Sequence, residues 1–85
     1  MAQTRTHKID ITARSFPKNT PVAKGDTVVW TNRMGMQHTV TADNGEFDSG
    51  PLAKDKSFSH VFDAPGTIPY HCDFHGDMTG TVTVT

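Results

Sequence analysis

A single leucine, Leu52, stands in a chain of 85 residues that carries 13 Thr, 7 Val and 3 Ile. β-Branched side chains lose rotamer freedom in a helix and pack well on a pleated surface. A helical bundle needs leucine and long runs of helix formers, and this chain has neither. Seven Gly and five Pro cut it into short segments. The composition therefore predicts half-buried strands joined by turns, with Thr toward solvent and Val, Ile or Phe toward a core.

The pattern along the chain places those strands. Residues 1–6 are polar and read as a flexible start to a single domain spanning 1–85. Lys8 to Ala13 alternates with Ile9 and Ile11 on one face, and Pro21 to Ala23 reads as a short edge strand. Thr27 to Thr31 is the strongest strand signal. His38 to Ala42 reads as another, running into an Asn44-Gly45 hairpin turn. Lys56 to Phe62, Thr67 to Cys72 and Gly80 to Thr85 alternate in turn, with a loop expected from Asp73 to Met78. His60 shares a face with Phe58 and Phe62 and is expected to be semi-buried. The sum is an all-β, antiparallel sandwich of seven to eight strands.

Size and charge exclude several functions. A chain of this length supports one modest core. The net charge of −1 gives no electrostatic footprint for nucleic acid or anionic lipid. No apolar run is long enough to span a membrane. With one cysteine, Cys72, no intramolecular disulfide can form. A lone thiol in a chain with five histidines is a metal ligand, a nucleophile or an inert core residue.

Four residues concentrate the chemistry. Cys72, His75 and Met78 fall on one short segment, and His38 opens a strand 34 positions earlier. A sandwich gathers its loops at two ends, so both groups can meet at one of them. A thiolate and two imidazoles form a trigonal set, with a thioether as a weak, long fourth ligand. That donor set describes a type 1 copper electron-transfer site. Zinc accepts the same three N and S donors but gains little from a thioether.

The order of segments Gly25 to Asn32, His38 to Ala42, Phe47 to Gly50, Phe58 to Phe62, Pro65 to Thr67, Tyr70 to Met78 and Gly80 to Val84 resembles cupredoxins of the plastocyanin/amicyanin type. The C-x₂-H-x₂-M loop and the Asn32-to-His38 run resemble amicyanins in particular. The resemblance implies a Greek-key sandwich and one copper ion held by His38, Cys72, His75 and Met78. It also implies that the backbone N–H of Thr39 donates to the Cys72 sulfur. The chain departs from the amicyanin pattern at Gln37, Phe74 and Gly76, where prolines are usual, so a softer ligand loop is expected.

Around this site Asn32 is expected to brace the loop before His38. Asp73, together with Asp77, is expected to favour the more positive Cu(II) state. Met34, Met36, Phe74 and Leu52 are expected to form an apolar docking patch around the His75 edge. The function expected is a soluble one-electron shuttle rather than an enzyme, acting as a monomer between redox proteins such as a cytochrome c, a dehydrogenase or an oxidase. The chain is read as the mature form of a periplasmic or otherwise extracytoplasmic protein. A copper carrier using the same residues is the alternative. A cysteine hydrolase lacks an evident oxyanion hole and cleft, and oxidase chemistry lacks a second set of copper histidines.

Overall fold

The computed structural model describes residues 3–85. Seven strands form two sheets: β1 (Thr6–Ile11), β2 (Thr20–Val22), β3 (Thr27–Asn32), β4 (Thr41–Ala42), β5 (Ser57–Val61), β6 (Gly66–Cys72) and β7 (His75–Val84). One sheet has the order β1-β3-β5 and the other β2-β7-β6-β4. Among the described residues there is no helix. The sandwich is the one expected from composition, with one difference. β1 pairs with β3 and β2 with β7 in parallel, so only three of the five pairings are antiparallel. Alternation of side chains is the same in either direction, which is why it does not report the direction.

Each inner face is one row of a period-two pattern. β3 buries Val28, Trp30 and Asn32, and β7 buries Met78, Gly80, Val82 and Val84. Trp30 is fully buried at the centre, with Phe47, Phe58, Phe62 and Tyr70 packed around it. Its indole N–H donates to the Tyr70 hydroxyl at 3.3 Å, which satisfies both polar tips inside the core. Burial pushes the Tyr70 hydroxyl up to about 12, so it stays neutral. Gly80 belongs to the same row because nothing larger fits. A Cβ there would lie 2.7 Å from the Pro17 carbonyl and 2.9 Å from the Tyr70 ring.

Four expectations need correction. The His38–Ala42 strand shrinks to Thr41–Ala42, with His38 joined only by an isolated bridge to Leu52. The 73–78 loop is mostly strand. β7 begins at His75, which pairs with Cys72 across an Asp73-Phe74 turn, and a bulge follows at His71/Cys72. Leu52 is 6% exposed and belongs to the core, so it cannot line a docking patch. The polar start is pinned from Arg5 onward. Arg5 N–H donates to Asp26 Oδ1 at 2.9 Å, and the Arg5 carbonyl accepts from Thr27 N–H. Of the expected flexible stretch, residues 1–2 lie outside the described residues.

Pro69 sits inside β6 without breaking the sheet. Its carbonyl accepts from Asp43 N–H, on the side where β4 has just ended. In an antiparallel pair the N and O of one residue face the same way. The missing donor therefore falls beyond the last β4 pairing.

Candidate metal centre

Two strand ends and one irregular segment build the site. β6 ends on its inner row at Cys72, which is 1% exposed. The Asp73-Phe74 turn brings His75 back beside it. His38 arrives from the connection between β3 and β4. Its backbone N–H donates to the Leu52 carbonyl at 3.3 Å and its carbonyl accepts from Leu52 N–H at 2.8 Å. Met78 is fully buried and opens the inner row of β7 three residues after His75.

The donor atoms of His38, Cys72 and His75 all lie within 4.8 Å of one another. Cys72 Sγ is 3.8 Å from His38 Nδ1 and 3.6 Å from His75 Nδ1. A first-row ion held at about 2.3 Å from sulfur and about 2.0 Å from nitrogen requires S···N separations of roughly 3.5–3.8 Å. Both S···N separations therefore match those of such an ion. The imidazole rings are 5.1 Å apart at 48°. They converge on one point and do not stack on each other. Burial holds His38 below the ordinary imidazole range, and His75 and Arg14 add to this. A neutral imidazole is the form that ligates a metal.

The surrounding residues lock these atoms in place. Thr39 N–H donates to Cys72 Sγ at 3.4 Å. Its hydroxyl accepts from Asp73 N–H at 2.8 Å, so one residue ties the His38 segment to both sides of the cysteine turn. Asn32 is fully buried. Its Nδ2 donates to the Met36 carbonyl at 2.9 Å and the Leu52 carbonyl at 2.8 Å. Its Oδ1 accepts from Met34 N–H at 2.9 Å. Asn32 thus closes the loop between β3 and His38, as its place in the sequence suggests.

Asp73 is engaged differently from the expectation. Its carboxylate meets His71 Nε2 at 2.9 Å, and Asp43 meets the other ring nitrogen. The Asp43 contact, ahead of Asp73, raises His71 above its ordinary value. Asp73 is therefore turned to the His71 ring, whereas Asp77, exposed like Asp73, lies on the far side of His75 in the chain. Asp43 carried no signal in the sequence, because residues 28 apart in a hairpin-rich chain show no periodic relation. Met36 and Phe74 are 44% and 50% exposed, and Met34 is partly buried against the core.

Known proteins resemble this chain in sequence and in fold. Residues 4–85 match the family described as copper binding proteins, plastocyanin/azurin family. The chain is 33% identical over 81 residues to the plastocyanin of Scenedesmus fuscus, covering 80% of this chain and 83% of that one. It is 40% identical over 68 residues to the amicyanin of Paracoccus denitrificans, covering 74% of this chain and 52% of that protein. Among solved structures, an amicyanin variant in its reduced Cu(I) form superposes with a TM-score of 0.85 at 31% identity, covering 94% of this chain and 82% of the other. A purple cupredoxin from Nitrosopumilus maritimus superposes at 0.78 and 31% identity, covering 94% and 98%. A family match over residues 4–85, with a relative 33% identical over most of both chains, shows that the chain belongs to the plastocyanin/azurin family of copper binding proteins.

Proposed function

We propose that the protein is a one-electron carrier that binds one copper ion through His38 Nδ1, Cys72 Sγ, His75 Nδ1 and the Met78 thioether. The observation that supports this most is the buried thiol with two ring nitrogens at 3.6 and 3.8 Å, already at ligand spacing. Copper bound there supplies a Cu(II)/Cu(I) couple. The chain's own residues do the rest. The Asn32 and Thr39 hydrogen bonds hold the donors fixed, so little rearranges when the charge changes. Burial of Cys72, His38 and Met78 keeps water from the sulfur. The Thr39 N–H lowers electron density on that sulfur.

His75 is the half-buried ligand, and Phe74, which precedes it in the chain, is exposed. We assign docking to Phe74, Met36 and the rim of Met34. A small patch of this kind suits brief redox encounters. The partners are redox proteins, with a cytochrome c, a dehydrogenase or an oxidase as candidates. The setting proposed is extracytoplasmic, and the working form a monomer. A thiol 1% exposed is poorly placed to attack a substrate, which supports a carrier of electrons over a hydrolase.

The test is retention through a redox cycle. Reduction of the copper-loaded protein bleaches the thiolate-to-copper band, and reoxidation restores it with the copper still bound in the presence of a chelator. Loss of the copper to that chelator within seconds would instead establish a copper carrier.

A further inference from the structure

The outer nitrogen of His38 makes a contact that the copper-binding reading leaves unexplained. His38 is fully buried, so solvent does not reach its ring. In the tautomer that leaves Nδ1 free for a metal beside Cys72, Nε2 holds the ring proton, and this nitrogen lies 3.2 Å from the Met34 thioether. A metal-binding histidine normally donates its second N–H to a carboxylate, a carbonyl or water, which makes the ring a more basic ligand. A thioether is only a weak acceptor.

Met34 is not a loose side chain that happens to fall there. Its N–H is held by Asn32 Oδ1 at 2.9 Å, and the same Asn32 amide fixes Met36 and Leu52. Leu52 in turn holds the His38 backbone. One buried asparagine therefore positions both the ligand and the acceptor behind it.

We propose that Met34 is a positioning residue for His38. Its sulfur accepts the outer ring N–H and fixes the tautomer that leaves Nδ1 free. As a weak acceptor it also keeps the imidazole poorly basic, which favours Cu(I). This rests on the copper reading above and adds a residue that sets its potential.

The test is a series at one position, read by voltammetry on the copper-loaded protein and by the His38 ring N–H resonance in the metal-free protein. Met34→Leu removes the acceptor at similar volume, Met34→Gln supplies a neutral oxygen acceptor, and Met34→Glu supplies a charged one. The midpoint is expected to be highest for Leu or wild type, lower for Gln and lowest for Glu. The Glu variant should shift the Cu(II)-to-Cu(I) affinity ratio about tenfold toward Cu(II), a fall of about 59 mV for one electron. The ring N–H should move to higher frequency from Met to Gln. A Gln midpoint equal to that of Leu, with an unmoved resonance, would overturn the proposal, even if Glu alone lowers the midpoint by its charge. A wild-type protein that forms no copper band defeats the copper reading instead, and the resonance series still decides the role of Met34.

Discussion

Two buried polar clusters sit at opposite ends of the sandwich, and they solve opposite problems. Where β3 begins, Asp26 is 3% exposed and accepts from Arg5 N–H, Ala23 N–H and the His7 ring at 2.9–3.0 Å. That cluster is complete in itself. The charge of one hard carboxylate is met by three donors, with His7 first among them, and its pKa falls to about 2. Where β3 ends, Asn32, Thr39 and Leu52 hold one sulfur and two ring nitrogens whose S···N separations of 3.6 and 3.8 Å are also those of donors sharing one ion. The first cluster closes a fold, and the second is assembled around a ligand. A buried polar cluster signals function when its neighbours hold metal-ligating atoms at the spacing that one ion would need.

If that contrast holds, damage at one end should not resemble damage at the other. The largest effect is expected from Cys72→Ser. Its visible copper band should vanish and its copper affinity should fall by more than the roughly 10- to 100-fold that outer residues cost. The metal-free protein should unfold near the wild-type denaturant midpoint. Asn32→Ala comes next. It leaves the Met36 carbonyl and the Met34 N–H without their partner, while the Leu52 carbonyl still accepts from His38 N–H, at a cost of about 2 kcal/mol in chemical denaturation. It should also broaden the copper band, because His38 loses its brace. Thr39→Val removes the acceptor for Asp73 N–H but keeps the backbone donor to Cys72. A loss of about 1–2 kcal/mol with the band intact is expected.

The smallest effect belongs to the other end and appears with pH. The Asp26 pKa is lowered from 3.8 to about 2, so its contribution to stability is full above 3.8 and fades as pH falls toward 2. In His7→Ala, urea midpoints between pH 5 and 2 should fall less steeply than in wild type. Copper binding at neutral pH should not change. A changed copper band in that variant would break the separation of the two ends.

Much of the copper end was legible in the sequence because its signals are chemical. Cys72, His75 and Met78 are rare residues on one segment, and a sandwich has only two ends at which His38 could join them. The Thr39 contact followed from the resemblance and is present at 3.4 Å. What escaped reading has physical causes. Gly76 and Asp77 interrupt the apolar alternation, so β7 appears to start five residues late. Leu52 follows a Gly-Pro turn with no period to mark its side, and it is buried because its backbone pairs with His38. His7 and Asp26 are 19 residues apart and meet only because β1 runs parallel to β3. The thioether behind His38 looked like surface, since a methionine i−4 in a loop carries no pattern.

The most direct measurement is X-ray absorption at the copper edge of the loaded protein. One sulfur near 2.2–2.3 Å and two nitrogens near 2.0 Å are predicted, from bond lengths of about that size for thiolate and imidazole. A first shell of nitrogen and oxygen alone, with no short sulfur, would contradict the claim that Cys72 and the two histidines share one ion.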